Sequence, residues 1–271
     1  MEAAGSTGGH EAANSPAYGH RVTVLETQPE RFWDLQGCSN FRDLGGYRTG
    51  TGAATHWRRL FRGDAVIGAS PADRDRFDDA GLRAVIDLRS THEVALGGSY
   101  RAPGAVAHHV PLGDLLDRET RWDAWSDPTY VADRYFQLCV TGGDAIAEVL
   151  AILTDPAAYP AVIHCSLGKD RTGVVIALIL RAIGVPTRTV VDEYALSRDG
   201  AARLVERLQA RMGTDRHDLE PYLPAMLAAD PQAMIGFLQR VVDEFGSVHG
   251  YLRHLGIAST VDHLRAALLI H

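Results

Sequence analysis

The sequence predicts an α/β domain with a mostly parallel central sheet flanked by helices. Three observations predict it. Leu82 to Leu88 and Ala161 to Ile163 are short apolar runs of strand length. Each has a helical stretch close by, with Ser70-Pro71 opening one before the first run and Thr172 to Ile183 forming one after the second. Strands and helices then alternate along much of the chain, which is the order that a parallel sheet with crossover helices requires.

Taken in order, residues 1–20 are Gly, Ala, Ser and His without periodicity and are expected to be a disordered tail. A first strand is expected from Arg21, on Val22, Val24 and Leu25. Asn40 to Tyr47 (NFRDLGGY) is turn-rich, its glycine pair allowing positive φ. Trp57 to Val66 reads as a strand with its exit, because Trp57, Leu60 and Phe61 suit a pleated surface. Ser70 as N-cap, Pro71 at the first position and Asp73 in the first turn open a helix that Ala80-Gly81 closes. Leu82 to Leu88 and His108 to Leu112 are the next strands, with a helical turn over Thr91 to Leu96. Tyr130 to Leu153 has helical spacing broken at Gly142-Gly143, so two helices are expected. Ala161 to Ile163 is a buried strand ending at His164-Cys165, and Thr172 to Ile183 is apolar nearly all round and therefore central. Everything after Thr187 reads as helix, punctuated by glycines and prolines, and is expected to form a layer on the same domain.

The chain has 271 residues, 46% of them hydrophobic and 23% charged, which suits one large domain or two small ones and rules out disorder throughout. The most apolar run, Val174 to Leu180, is cut by Arg181 and falls far short of the roughly 20 residues of a membrane span. A net charge of -7 argues against a general nucleic-acid binder. It does not exclude an anionic substrate, since a few local cations can outweigh a mild global field. Three cysteines, Cys38, Cys139 and Cys165, do not make a disulfide framework and fit a reducing compartment. With no basic or strongly apolar stretch at the N-terminus, a cytoplasmic location is expected, export without a signal staying open. Oligomeric state is not legible. Lys169 is the sole lysine against 26 arginines, which hints that a compact ammonium is wanted there.

The chemistry lies in Val162 to Gly173 (VIHCSLGKDRTG), where a buried strand turns into a buried helix. Such a turn aims amide N–H groups and a positive dipole end at one point, making an anion site. A cysteine there favours the thiolate, a strong nucleophile able to take a phosphoryl group. Cys165 has Arg171 six residues on, whose fork matches two phosphate oxygens, whereas Cys38 and Cys139 have Leu44 and Ala145 at that spacing. Ser166, Leu167, Gly168, Lys169, Asp170 and Arg171 would then bind the phosphate, Gly168 letting the backbone turn its amides inward. Thr172 could donate to the thiolate. His164, pointing opposite to Cys165 on the strand, would orient the loop. The nucleotide-binding pattern G-x-x-x-x-G-K-[ST] fails, because Ile163 and Asp170 stand where Gly and Ser or Thr are needed.

The run from His164 to Gly173 resembles the C-x5-R signature loop of the cysteine-dependent tyrosine and dual-specificity phosphatases. It is similar above all to the bacterial subgroup typified by tyrosine phosphatase B. Asn40 to Tyr47, Leu60 to Asp64 (LFRGD) and Ile86 to Ser90 with Glu93 (IDLRSTHE) carry the same resemblance, which covers about Gly37 to Ser197. It implies a three-layer tyrosine-phosphatase-like fold and one phosphatase domain over residues 21–271. In that subgroup the C-terminal helices form a mobile lid, here expected within residues 187–255. It also implies attack by Cys165 on phosphorus, a phosphocysteine intermediate, and no metal or other cofactor. Asp170 is the first candidate for the general acid. Asp114, which follows the strand at His108 to Leu112, and Asp123 beside Trp122 are alternatives. Asp87 and Arg89 would hold the loop from the neighbouring strand. Substrates would be phosphorylated proteins, phosphotyrosine first, or phosphoinositides, for which Lys169 is the implied marker. A catalytically inactive phosphate reader, a lipid-specific phosphatase and a sulfur-transfer or arsenate-reducing enzyme are the alternatives.

Overall fold

The computed structural model describes residues 30–101, 104–113, 121–212 and 223–270. The expected tail and the strand expected from Arg21 lie outside them. The strands among these residues are β1 (Arg42–Asp43), β2 (Ala54–Thr55), β3 (Leu60–Gly63), β4 (Ala84–Asp87), β5 (Val106–His109), β6 (Ala161–His164) and β7 (Leu269–Ile270). The helices are α1 (Pro71–Asp79), α2 (Thr91–Gly97), α3 (Pro128–Thr141), α4 (Gly143–Ile152), α5 (Asp170–Ala182), α6 (Thr187–Ala195), α7 (Ser197–Met212), α8 (Leu223–Leu227), α9 (Pro231–Phe245), α10 (Val248–His254) and α11 (Thr260–Leu268).

Five strands form one sheet in the order β1-β3-β6-β4-β5. The β3–β6, β6–β4 and β4–β5 pairs are parallel, and β1 joins β3 antiparallel. The most apolar strand, β6, takes the central place. Gly63 of β3 and Asp87 of β4 both pair with His164, so three strand ends converge where β6 leaves the sheet.

Alternation along these strands sorts side chains between two cores. Leu60, Ala84, Ile86, Ala161, Ile163 and Cys165 face the larger core, with α3, α5, α6 and α9. Phe61, Val85 and Val162 face a smaller core, where Trp33, Phe41, Phe77 of α1 and Tyr100 pack ring against ring. The sheet is thus the middle of three layers. Eleven residues of α5 are buried, as its nearly uniform apolarity requires.

Local rules account for the helix boundaries. Ser70 accepts from the Asp73 amide while Asp73 accepts from the Ser70 amide, a capping box with Pro71 in the first turn. The chain breaks between α3 and α4 at Gly142, bending by 72°. No single helix among the described residues is long and apolar enough to cross a membrane.

The ends of β4, α3 and α5 shift by one or two residues from the sequence reading, and three elements differ further. The strand placed at His108 to Leu112 is Val106–His109. It is an edge strand with an exposed start, so no apolar alternation marks Val106. Its extended course continues, with Val110 and Leu112 amides donating to Asp87 and Leu88 carbonyls. Within Trp57 to Val66 only Leu60–Gly63 is ladder, followed by a single 3-10 turn over Val66–Gly68. The all-helical end closes on a strand instead, Leu269–Ile270 pairing with Ala54–Thr55.

Candidate active site

Residues 165–169 link β6 to α5 across the converging strand ends. Gly168 has φ +65, and a Cβ there would lie 2.3 Å from the carbonyl carbon and oxygen of Gly63. Only glycine lets the loop lie against the end of β3 in that left-handed conformation.

The loop's carbonyls are taken up one by one. Ser166 O accepts from the Ala65 amide at 3.2 Å, Leu167 O from Asn40 Nδ2 at 2.9 Å and Gly168 O from Arg62 Nη2 at 2.6 Å. Lys169 O accepts from the Gly173 amide inside α5 at 2.8 Å. In a planar trans peptide the N–H points opposite to the C=O. The amides of Leu167, Gly168 and Lys169 therefore face the other side of the loop, joined by the unpaired N–H groups of the first turn of α5.

Beneath the carbonyl side lies a wholly buried ion cluster. Glu193 of α6 accepts from Arg42 Nε at 2.7 Å and from Arg62 Nη1 at 2.6 Å. Arg42 also reaches Asn40 Oδ1 and Ser197 Oγ. Burial and the neighbouring Arg62 charge pull Arg42 down to about 10 against the pull of Glu193, so it stays charged at neutral pH. Burial works to raise the Glu193 carboxyl, but the two guanidiniums hold it below its ordinary range. This cluster joins β1, β3 and α6 to the loop backbone.

Cys165 is buried at the head of the loop, on the face of the larger core. Arg171 projects from the first turn of α5 and is itself buried. Its Nη1 and Nη2 donate to the two carboxylate oxygens of Glu93 at 2.5 and 2.7 Å. Burial works against the guanidinium charge, but Glu93, Cys165 and Asp170 outweigh it and raise the Arg171 pKa. Glu93 lies in the first turn of α2, accepts from the Ser90 amide in a capping box and accepts also from Ser166 Oγ. Burial would raise its carboxyl, yet Arg171 above all lowers it to about 2. One carboxylate thus ties both ends of the loop.

His164 is fully buried, with Nδ1 3.4 Å from the Cys165 carbonyl and 3.8 Å from Asp87 Oδ1. Burial first, then the Arg89 and Arg171 charges, push it down to about 4 against Asp87, so the ring is neutral. Asp87 is forked by Arg89, with Nη2 at 2.6 Å and Nε at 3.0 Å. Burial works to raise Asp87, but the Arg89 fork holds it below its ordinary range. This pair approaches the loop through His164. Thr172 Oγ1 is buried with no hydrogen-bond partner among the described residues.

Asp170 opens α5 with its carboxylate slightly exposed. Oδ1 accepts from Tyr135 Oη at 2.5 Å and lies 3.4 Å from Lys169 Nζ. Lys169 is wholly buried, donating to Ala228 O at 2.7 Å in the turn between α8 and α9, with its ammonium 5.8 Å from the Trp125 ring centre. Burial pushes the other two thiols up, Cys139 to about 12 and Cys38 further. All three cysteines are unpaired. Asp114 and the Asp123 side chain lie outside the described residues.

Cys165, Ser166, Gly168, Lys169, Asp170, Arg171, Thr172 and His164 therefore meet at one strand–helix turn. The sequence reading gave no role to Asn40, Arg42, Arg62, Glu193 or Tyr135. The first three lie in the NFRDLGGY and LFRGD stretches, and charged residues inside apolar strands are a usable signal for a buried partner. Glu93, quoted only within its motif, stands three residues after Ser90, a capping-box spacing. Tyr135 sits at a core position of an amphipathic helix and carries no such signal.

A tyrosine phosphatase family model matches residues 33–270. The triple specificity protein phosphatase PtpB of Mycobacterium tuberculosis is 30% identical, covering 87% of this chain and 98% of its own. A Cupriavidus necator protein assigned to the tyrosine-protein phosphatases is 28% identical over 79% of this chain and 80% of its own. A tyrosine-protein phosphatase of Nostoc commune is 24% identical over 69% and 66%.

Proposed function

The chain belongs to the tyrosine phosphatase family, and we propose that this protein-tyrosine phosphatase works through a phosphocysteine formed on Cys165. The observation that carries the reading is the loop itself. Its carbonyls are bound on one side by Ala65, Asn40 and Arg62, which turns the amides of Leu167, Gly168 and Lys169 to the other, and Arg171 lies within electrostatic reach of Cys165.

In this mechanism the phosphate oxygens bind the loop amides and the Arg171 guanidinium, which Glu93 holds by its two terminal nitrogens. Cys165 Sγ attacks phosphorus as the P–O bond to the leaving group breaks. Asp170 gives its proton to the leaving oxygen. Water then attacks the S–P bond, Asp170 takes back a proton, and inorganic phosphate leaves with the thiolate restored. Catalysis consists of positioning and charge stabilisation by fixed groups and needs no metal.

Residues 21–271 act as one phosphatase domain; within the lid span of residues 187–255, α6 and α9 belong to the larger core, and the turn at Ala228 between α8 and α9 is the part that covers the loop. The lid reading is supported by the bond from Lys169 Nζ to Ala228 O, which ties the loop to the turn before α9. Phosphotyrosine in proteins is the first substrate, with phosphoserine, phosphothreonine and phosphoinositides as further ones. The relative from Mycobacterium tuberculosis is named for triple specificity. A headgroup with a second phosphate would meet Lys169 only after Ala228 releases it. Three free cysteines support a reducing, cytoplasmic setting.

The test is turnover of p-nitrophenyl phosphate in the presence of a chelator. Wild type is expected to release phosphate and Cys165→Ser to release none. Wild-type rates from Cys165→Ser would end the reading. A panel of phosphopeptides and phosphoinositides with Lys169→Ala tests the range, with lipid turnover falling further than peptide turnover. Equal falls remove the lipid role of Lys169.

A further inference from the structure

We propose that Tyr135 and Tyr194 form a hydroxyl relay that positions Asp170 for proton transfer, an inference that rests on the phosphocysteine reading above. Tyr135 Oη donates to Asp170 Oδ1 at 2.5 Å, and the two tyrosine hydroxyls are 2.8 Å apart. Both side chains are buried. They come from different elements, Tyr135 from α3 and Tyr194 from α6, and their rings meet edge to face at 6.0 Å.

The direction of the relay follows from proton counting. A phenol has one proton to give. Tyr135 spends it on Asp170, so the proton between the tyrosines belongs to Tyr194, which donates to Tyr135. Burial, with the Asp170 charge, raises both phenols well above their ordinary range, so both stay protonated donors. Each donor in such a chain strengthens the next.

The consequence for Asp170 is a choice between its two oxygens. Oδ1 accepts from Tyr135 whether the carboxyl is charged or neutral, and Lys169 Nζ stands on the same oxygen at 3.4 Å. The transferable proton is therefore carried by Oδ2. The relay fixes the carboxyl plane and leaves one oxygen for the leaving group. Gly173 makes room for this, because a Cβ at that position of α5 would lie 3.1 Å from the Tyr194 ring. Glu193 and Tyr194, adjacent on α6, thus hold the loop by two routes, one through Arg62 to its carbonyls and one through Tyr135 to its carboxylate. Tyr135 and Tyr194 are positioning residues, since neither reaches the reacting atoms.

The relay has a signature that a structural role lacks. A nitrophenolate departs with little help, whereas a phenolate needs protonation as it leaves. Tyr135→Phe should lower kcat/KM for phenyl phosphate, which reports the step in which the leaving group departs, by about tenfold, a fraction of what a general acid supplies. It should change kcat/KM for p-nitrophenyl phosphate by less than about threefold. Tyr194→Phe should act in the same direction and more weakly. The double variant leaves no orphaned hydroxyl, so circular dichroism on it and on each single variant identifies a folded protein for the comparison. Adding Tyr135→Phe to Asp170→Asn should change nothing further. Equal falls on both substrates, no fall on either, or an independent effect in the Asp170→Asn background would each overturn the relay. The site reading fails separately, on a Cys165→Ser enzyme that still turns over.

Discussion

Replacing Glu193 by Gln keeps the side chain's shape and removes its charge. Arg42 Nε lies 2.7 Å from one carboxylate oxygen and Arg62 Nη1 2.6 Å from the other, and all three side chains are at most 1% exposed. In the variant two buried guanidiniums lose their shared counter-charge, and the amide NH2 faces a donor where an acceptor stood. Breaking a buried pair in this way costs about 3–5 kcal/mol. With a urea slope of about 3 kcal/mol/M the unfolding midpoint should fall by about 1–2 M. Far-UV circular dichroism and tryptophan fluorescence should give the same midpoint if unfolding is two-state. Asp192→Asn is the control, because Asp192 is 72% exposed and its partner Arg188 93% exposed at 3.9 Å, and it should leave the midpoint in place. A wild-type midpoint for Glu193→Gln would refute the claim that this cluster holds up the loop. The same variant should lose turnover below its melting range, because Arg62 also binds the Gly168 carbonyl.

Two other perturbations read out different contacts. Gly168→Ala forces a side chain into φ +65 and against the backbone of Gly63, so the loop must move. Inhibition by vanadate should weaken by tenfold or more, and an unchanged inhibition constant would contradict the close approach. His164, neutral in the fold with its pKa pushed down from 6.5 to about 4, binds a proton more readily once unfolded. Its share of stability is present above pH 6.5 and is lost as pH falls towards 4, up to about 3 kcal/mol from 2.5 pH units. Urea midpoints at pH 7 and 4.5 should therefore drop further for wild type than for His164→Gln, and parallel drops would disprove the assignment.

What was legible in the sequence was whatever local chemistry decides. Ser70-Pro71-x-Asp73 caps a helix whatever surrounds it, and β6 is buried because Ala161 to Ile163 has no polar face. The strand–loop–helix turn with Cys165 and Arg171 was readable for the same reason. The start of β5 was not, since an edge strand with exposed Val106 and Ala107 lacks the alternation that betrays a strand. Nor was β7, whose ladder exists only because Ala54–Thr55 lies beside it. The supports of the loop were the least legible. Arg42 and Glu193 are 151 residues apart, and Tyr135 is 35 residues from Asp170. No periodicity links such pairs, and only the fold brings them together.

In this mechanism the Cys165 sulfur carries the phosphoryl group between the two steps. The decisive measurement mixes enzyme with a 32P-labelled phosphotyrosine peptide, quenches in acid within milliseconds and maps the label by proteolysis and mass spectrometry. One phosphoryl group is expected, on the peptide containing Cys165, and it should disappear with the time course of phosphate release. A label on another residue, or turnover with no label on that peptide at any time, would contradict it.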